Sequence, residues 1–296
     1  MHIPKIAHFI WSNKNGLPFS RMLSITTFAH LNPDFKIFYH TFENDSSSSS
    51  GLRGGESVCQ TDHSDFISSL NVYSNIEIIN HTDLHGTDVS HPPTFLSDLL
   101  RYKLLGDIGG YYFDTDILFY IPMSESYLFS GLYTDITCII SHSKAFGSTG
   151  AHRIGVLGSK PNSRVFRNAY DVARWSIDPS EYQSAGSESL QHVLGGSSLY
   201  RKFDASYPDE VLHNLLDSFA YRYSFESMSE NLPLNILNWV MQSINPWFAS
   251  VHWYGGVLSD SIDRDQSILP PVDGKQRFVD FLFTQAIELV KNKLDN

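Results

Sequence analysis

The chain concentrates its predicted chemistry in residues 97–119, which read SDLLRYKLLGDIGGYYFDTDILF. The first part has the helical spacing of about 3.6 residues per turn, with leucines on one side and polar residues on the other. Asp98 and Arg101 are neighbours on the polar side, where they can contact a ligand. Gly106 and then the Gly109-Gly110 pair are predicted to end the helix, because glycine accepts the positive φ of a C-terminal cap.

An apolar strand is predicted to follow this glycine pair and to carry a D-x-D motif. Residues 110–113 and 117–119 are rich in aromatic and β-branched side chains, as buried strands are. Asp114 and Asp116 lie at the end of this strand or inside it, and strand alternation points both carboxylates to one face. Two like charges in an apolar setting repel each other and lose hydration, so we expect a divalent cation such as Mg²⁺ or Mn²⁺ to bind them.

The alternative for any isolated D-x-D motif is a capped strand end with solvated aspartates. The chain contains a second such motif, in which Asp263 and Asp265 flank an arginine. It lies in a polar stretch with no predicted strand before it, and we assign it no function. The strand context therefore distinguishes the first motif from the second.

The N-terminal part predicts a parallel sheet. Residues 5–11 and 35–41 have the composition of strands, residues 19–31 have that of a helix between them, and residues 75–80 read as a third strand. Ligands bind beyond the carboxyl ends of such strands, which places Trp11 near a pocket.

The remaining segments predict a mixed architecture with more helix towards the C-terminus. Residues 44–65, with five consecutive serines, are predicted to be a surface loop or insertion. The C-terminal helix has a wide apolar side, opposite Arg277, Asp280 and other charged residues, and is expected to pack onto the domain. The further predicted elements are strands at 135–141 and 153–158 and helices at 162–175, 181–194, 208–223 and 275–294.

Composition limits the class of protein and of partner. The 296 residues are 42% hydrophobic, which suffices for a sizeable core. A net charge of −11 argues against a nucleic-acid partner, because phosphate binding requires clustered Lys and Arg. No signal peptide and no apolar run of about 18 residues are recognisable, so no transmembrane segment is predicted. We expect a soluble cytoplasmic protein. The alternatives are a protein that is peripheral at a membrane and, in the case of an effector, one that is delivered to a host.

Cysteine and histidine clusters do not predict a second metal site. Cys59 and Cys138 form no disulfide framework, so a reducing compartment is expected. His81, His85 and His91 lie close together in sequence, but their irregular spacing and the absence of nearby cysteine favour scattered histidines over a zinc site.

Two blocks of the sequence resemble a known enzyme family. The opening IPKIAHFIW and the block SDLLRYKLLGDIGGYYFDTD look like the DXD sugar-binding glycosyltransferases of family 32 and, more distantly, like the glucosylating domains of large clostridial toxins. The resemblance covers the first forty residues and positions 94–122. It implies one GT-A domain over residues 1–296, an α/β fold with a Rossmann-like mixed sheet and added C-terminal helices, in which residues 160–245 form a largely helical acceptor-side part.

The resemblance also implies roles for individual residues. Asp114 and Asp116 would hold Mn²⁺ or Mg²⁺, and Asp98 and Arg101 would contact donor hydroxyls or phosphate. The other implied contacts are the Trp11 ring as base platform, the Ile10 backbone at the base edge, Tyr112 on the donor, His252 as a further metal ligand and Trp253 as part of a lid. For His252, a hydrogen-bonded core histidine is an equal alternative.

The expected activity is metal-dependent, retaining transfer of a hexose from a UDP- or GDP-sugar to a hydroxyl of a glycan, glycolipid or protein, as in polysaccharide biosynthesis. A protein-modifying effector or toxin would use the same donor site. A haloacid-dehalogenase-like phosphohydrolase also ends a strand with D-x-D, but in that class the motif ends the first strand, whereas three strands are predicted before it here. A noncatalytic sugar-binding module would not need intact paired carboxylates.

Overall fold

The centre of the fold is a sheet to which both halves of the chain contribute strands. The computed structural model describes residues 2–12, 16–43, 65–82, 91–126, 137–142, 152–178, 180–181, 183–194, 210, 212–215, 220, 223, 225–244, 249–255, 268 and 270–294. The strands are β1 (Ile6–Ser12), β2 (Lys36–Phe42), β3 (Ile76–His81), β4 (Gly110–Phe113), β5 (Ile117–Phe119), β6 (Cys138–His142), β7 (His152–Ser159), β8 (Leu212–Leu215), β9 (Asn231–Pro233), β10 (Ser250–His252) and β11 (Lys275–Arg277).

Helices cover the sheet and extend the C-terminal half. They are α1 (Phe19–Leu31), α2 (Pro93–Asp107), α3 (Arg164–Ser176), α4 (Ser187–Leu194), α5 (Phe225–Ser229), α6 (Leu234–Gln242) and α7 (Phe278–Leu294), with short 3₁₀ helices at Ile67–Val72 and Met123–Glu125. In the part of the chain covered by these elements, no helix combines the length and apolar character that a membrane crossing requires.

Seven strands form a mixed sheet in the order β3-β2-β1-β4-β7-β6-β8. Neighbouring strands β3, β2, β1 and β4 are parallel, β7 is antiparallel to β4 and to β6, and β8 is parallel to β6. The chain thus leaves β1 towards β2 and β3 and returns to the other side of β1 through α2 and β4. This reversal creates a switch point between β1 and β4.

Each face of the sheet buries its own apolar cluster, because successive strand residues point to opposite faces. On β1, Ala7 and Phe9 pack in a cluster that includes α1 and α7, whereas Ile10 packs in a second cluster with α2 and α3. Helix α2 begins at Pro93, where proline has no amide hydrogen to leave unsatisfied. Leu96, Leu99 and Leu100 of this helix are buried in the second cluster, which confirms the prediction that its leucines pack in the core.

Two small two-stranded sheets lie outside the central one, and one of them joins β5 to the C-terminal strand β10. Strand β10 pairs antiparallel with β5, opposing His252 to Ile117, and β11 pairs antiparallel with β9. Helix α7 packs against α1 and places Phe283 5.1 Å from the ring of Trp253. The C-terminal residues thus reach the strand that follows the D-x-D motif.

Several sequence predictions for these elements were wrong. Residues 212–215 of the helix predicted at 208–223 form β8, because pairing with β6 overrides local propensity. Gly106 does not end α2 but lies inside it, where an added Cβ would come 3.0 Å from the Arg167 side chain of α3. Asp280 does not lie on an exposed face: it is fully buried and accepts two hydrogen bonds from Arg277 at 2.7 and 2.8 Å.

The predicted surface insertion at 44–65 lies outside the described residues, except for Asp65. The described part of residues 160–245 contains helices α3 to α6 and strands β8 and β9. Their acceptor role and the single-domain organisation over 1–296 stay predictions.

Candidate active site

The candidate site lies at the switch point, beyond the carboxyl ends of β1 and β4. Trp11 is near the end of β1, and Asp114 follows directly after β4. The two strands are parallel neighbours, so their carboxyl ends open at the same edge of the sheet. The structure therefore brings the first predicted strand and the D-x-D motif together, as the sequence predicted.

The D-x-D motif is a turn between two strands: Asp114 lies at the end of a strand, as predicted, but the motif does not lie inside one continuous strand. Strand β4 ends at Phe113 and β5 begins at Ile117, so strand alternation does not set the two carboxylates. The Asp114 amide donates to the Gly155 carbonyl at 2.8 Å, which fixes the start of the turn against β7. The pairing of β5 with β10 fixes its end.

Asp116 is buried and surrounded by hydrogen-bond donors and positive charge. His252 Nε2 lies 3.2 Å from Oδ1, and the Gly255 amide donates to Oδ2 at 2.9 Å. Arg21 of α1 places Nη1 3.6 Å from Oδ2. Burial raises the pKa of the Asp116 carboxyl, but His252, Arg21 and the Gly255 amide together lower it well below its ordinary value. Asp116 is therefore a carboxylate at neutral pH.

Asp114, Asp116 and His252 form a donor set that a metal ion could share. One ligand atom from each lies within 4.8 Å of the others. Two carboxylate oxygens and one imidazole nitrogen suit a divalent ion such as Mn²⁺ and are compatible with Mg²⁺. The residues present thus fit the metal that the sequence predicted, and they place His252 where the resemblance implied it.

Asp98 and Arg101 lie deeper, behind Asp114, and both are only 6% exposed. Arg101 Nη2 is 2.9 Å from Asp98 Oδ1, and its Nη1 is 3.4 Å from Asp114 Oδ1 and donates to the Ile154 carbonyl. The guanidinium also lies over the Tyr112 ring at 4.3 Å, and the Tyr112 hydroxyl donates to Asp114 Oδ1 at 2.7 Å. One hydrogen-bonded network therefore joins four of the predicted site residues.

The electrostatics of this network follow from its burial. Burial raises the pKa of Asp98 to about 6, against the opposing effect of Arg101, and the charge of Asp114 adds to the rise. For Arg101 burial lowers the pKa, but its anionic and phenolic neighbours reverse this and raise the pKa above its ordinary value. Arg101 therefore stays cationic and holds Asp114 in place.

The aromatic residues predicted for the donor site have different exposures. Trp11 is half-buried, and its Nε1 donates to the Gly16 carbonyl at 3.1 Å. Trp253 is fully buried and donates from Nε1 to Ser24 Oγ at 3.3 Å, so its burial does not support the predicted lid contact with a donor. The Ile10 side chain is also buried, which leaves only its backbone for the predicted edge contact.

Sequence reasoning missed Arg21, Gly186 and Gly255. Arg21 is 7% exposed in α1, and the spacing of a single arginine in an apolar helix gave no signal of contact with Asp116. Gly186 lies so close to Asp98 that an added Cβ would come 2.5 Å from Oδ2. Gly255 follows the His252-Trp253 pair that the sequence singled out, and its amide contact with Asp116 needs the folded β10 segment.

Comparison with known protein families gives a match over the first half of the chain. The family described as glycosyltransferase sugar-binding region containing DXD motif matches residues 18–130, which include Arg21, Asp98, Arg101 and the motif itself. This match covers somewhat more than a third of the chain. The chain is a glycosyltransferase, and the resemblance drawn from its sequence is confirmed. Among curated proteins none matches this glycosyltransferase.

Solved glycosyltransferases share the fold at low sequence identity. The apo form of GlyE from Streptococcus pneumoniae is 10% identical with a TM-score of 0.52, over 98% of this chain and 62% of GlyE. The glycosyltransferase PaToxG is 20% identical with a TM-score of 0.44. The match covers 66% of this chain and 69% of the PaToxG chain. The galactosyltransferase LgtC, in complex with donor and acceptor sugar analogues, is 13% identical with a TM-score of 0.46. The match covers 97% of this chain and 99% of the LgtC chain.

The likeness to GlyE confirms the predicted α/β fold of the GT-A type for this glycosyltransferase. This chain spans less than two thirds of the GlyE structure. At 10% identity the likeness shows the fold alone, so the donor, the metal and the acceptor are matters for proposal.

Proposed function

We propose that this glycosyltransferase transfers a hexose from a UDP- or GDP-sugar to a hydroxyl of a glycan, glycolipid or protein, with Mn²⁺ or Mg²⁺ held by Asp114, Asp116 and His252. The observation that carries the proposal is that these three side chains lie close together at the switch point of the sheet. The two aspartates come from the turn after β4, and the histidine comes from β10. When bound, the ion would screen the diphosphate and stabilise its charge as a leaving group.

The neighbouring network supplies the groups that would hold the donor. Arg101 keeps its charge while bridging Asp98 and Asp114, so it would present positive charge to a phosphate or hydroxyl oxygen. Asp98 would accept hydrogen bonds from hydroxyls of the ribose or of the donor sugar. Tyr112 donates to Asp114 and would orient that carboxylate towards the ion.

Trp11 is the proposed platform for the nucleotide base. It lies at the carboxyl end of β1 and remains partly exposed. The Arg21 guanidinium lies over one face of its ring at 4.7 Å, so we place the base on the opposite face. The backbone of Ile10 would then contact the edge of that base. Retention of anomeric configuration follows only from the resemblance, and we assign no nucleophile.

The deciding experiment is calorimetric binding and slow hydrolysis across a panel of UDP- and GDP-sugars, each with Mn²⁺ and with EDTA. We expect one donor to bind in a metal-dependent way. Asp114→Asn and Asp116→Asn should each reduce transfer at least 100-fold, since each removes a charged ligand. The matched control is Asp263→Asn with Asp265→Asn in the second D-x-D, which should retain wild-type activity.

Two results would contradict the proposal. Wild-type transfer by Asp114→Asn or Asp116→Asn would exclude the metal site. Failure to bind every nucleotide sugar, together with phosphate release from generic phosphoesters, would favour the phosphohydrolase alternative and remove the roles given to Trp11, Asp98 and Arg101.

A further inference from the structure

Arg21 joins three parts of the candidate site that are distant in sequence. Its guanidinium carbon lies 4.7 Å from the Trp11 ring centre and 5.0 Å from that of Trp253. Its Nη1 donates to Thr115 Oγ1 at 3.4 Å and lies 3.6 Å from Asp116 Oδ2. One buried cation therefore touches the end of β1, the D-x-D turn and the segment after β10.

The surroundings leave the guanidinium little freedom. Trp253 is fixed on its other sides by Ser24 of α1 and Phe283 of α7. Gly255 packs so closely that an added Cβ would lie 2.2 Å from Arg21 Nη2. Since a planar guanidinium can stack on aromatic faces and donate from its edge at once, arginine fits this position and lysine does not.

The charge of Arg21 acts on one oxygen of Asp116. Arg21 and the Gly255 amide both approach Oδ2, whereas His252 meets Oδ1. These contacts orient the carboxylate so that Oδ1 lies next to His252, which belongs to the same donor set. Groups that hold a ligating carboxylate in this way affect metal affinity nearly as strongly as the ligands do.

We propose that Arg21 is a positioning residue that couples the Trp11 platform to the metal-binding orientation of Asp116. The inference rests on the proposed function, since it assumes that Asp116 ligates the ion and that Trp11 carries the base. Movement of the Trp11 ring would shift the guanidinium, and the guanidinium sets Asp116. Nucleotide and metal should therefore bind with positive coupling that passes through this side chain.

The test measures Mn²⁺ affinity by calorimetry without nucleotide, and UDP and GDP affinity with and without Mn²⁺. Arg21→Met should weaken Mn²⁺ binding about 10- to 100-fold and reduce the factor by which Mn²⁺ strengthens nucleotide binding. Arg21→Lys should recover only part of both, because it restores charge without the stacking plane. Gly255→Ala should also weaken Mn²⁺ binding and the coupling, because its added Cβ would displace the guanidinium. This variant keeps the arginine and its positive charge.

Arg277→Met is the matched control, because Arg277 at the end of β11 also pairs with a buried aspartate, Asp280 of α7, which is not one of the proposed metal ligands. It should lower the melting temperature and leave Mn²⁺ affinity within twofold of wild type. Equal losses of Mn²⁺ affinity in Arg277→Met and Arg21→Met would show a merely structural role. Folded Arg21→Met with wild-type affinity and coupling would also overturn the inference.

If Arg21→Met does not fold, Gly255→Ala and Arg21→Lys decide, and wild-type coupling in both would count against the role of Arg21. Failure of the proposed function has a different signature. In that case the wild-type protein itself would bind neither Mn²⁺ nor either nucleotide, whereas failure of this inference alone leaves wild-type binding intact.

Discussion

His252 Nε2 lies 3.2 Å from Asp116 Oδ1, and this contact links the two halves of the chain at the candidate active site. The two residues come from paired segments, because β10 runs antiparallel to β5 directly after the D-x-D turn. In the proposed metal site the same two atoms would be neighbouring ligands.

The first prediction concerns the His252 side chain. His252→Ala should weaken Mn²⁺ binding about 10- to 100-fold, because it removes the nitrogen donor and leaves the two carboxylates. Calorimetry with Mn²⁺ measures the effect. His2→Ala, which changes an exposed histidine at the N-terminus, serves as the control and should bind as wild type does. Unchanged affinity in His252→Ala would make His252 a structural partner of Asp116 only.

The elements around the site were largely predictable from the sequence, and the exceptions have physical reasons. Strands β1 to β3 and helices α1 to α3 follow from periodicity and from glycine and proline signals within a few residues. Strand β8 did not, since its pairing with β6 is a long-range contact that no local pattern records. Burial of Asp280 was also hidden, because its partner Arg277 supplies the compensating charge only in the folded chain.

The site was predictable in its residues but not in its construction. Spacing placed Asp98 near Arg101, and the structure has this contact. Spacing did not show that the D-x-D motif is a turn, which depends on β5 leaving the central sheet to pair with β10. Spacing also could not show that Arg21 contacts Trp11, Trp253 and Asp116, because these residues come from segments that meet only in the folded chain.

The second prediction tests Trp11 as the base platform. Trp11→Ala should weaken nucleotide binding by about 1 to 3 kcal/mol, the usual contribution of base stacking on an aromatic side chain. Trp11→Phe should recover most of this, because it retains an aromatic face. Calorimetry with UDP and GDP in the presence of Mn²⁺ measures both variants. Equal affinity of wild type and Trp11→Ala would assign the base to another surface.

The third prediction concerns the glycine turn between α2 and β4. Gly110 has φ of 102°, and an added Cβ would lie 2.7 Å from the Ile6 carbonyl oxygen. Gly110→Ala should therefore lower the free energy of unfolding by about 3 kcal/mol, from backbone strain and from the clash together.

The control separates those two causes. Gly274 also has positive φ, at 71°, but a Cβ there would meet no atom within 4 Å. Gly274→Ala should cost only about 1 kcal/mol in a denaturant unfolding experiment. Similar losses in both variants would show that the contact with Ile6 contributes nothing.

The fourth prediction concerns the ion pair between Arg277 of β11 and Asp280 of α7. The Asp280 side chain is fully buried, and Arg277 is its paired cation. Arg277→Met should lower the free energy of unfolding by about 3 kcal/mol, because it leaves a buried carboxylate without compensation. Arg174→Met, on the exposed surface of α3, should change it by less than about 0.5 kcal/mol. Denaturant titration of both variants provides the comparison, and equal stabilities would contradict the prediction.

The last prediction arises from a chain of three histidines across β1, β2 and β3. His8 Nδ1 lies 2.9 Å from His40 Nε2, and His40 Nδ1 lies 2.9 Å from His81 Nε2. His8 Nε2 lies 3.0 Å from the Gly109 carbonyl, which can only accept, so this nitrogen carries the hydrogen. In neutral His8, Nδ1 then accepts from His40, and protonation of His8 would require His40 to change tautomer so that its Nε2 accepts.

Burial lowers the pKa of His8 to about 4, against the hydrogen bond to Gly109, which raises it. The folded protein thus binds this proton more weakly than the unfolded chain, whose histidine pKa is about 6.5. The contribution of His8 to stability is therefore complete above about pH 6.5 and is lost as pH falls towards 4, by about 2 kcal/mol between pH 7.5 and 4.5. Asp98, with its pKa raised to about 6, contributes the opposite slope over this range.

Because these slopes oppose each other, the informative quantity is the difference between wild type and His8→Gln, which keeps a donor for the Gly109 carbonyl and removes the titration. Denaturant unfolding at pH 7.5 and 4.5 gives that difference directly. The stability advantage of wild type should narrow by about 2 kcal/mol at the lower pH, since Asp98 affects both proteins equally. An advantage that stays constant would mean that His8 is protonated in the folded state no less readily than in the unfolded one.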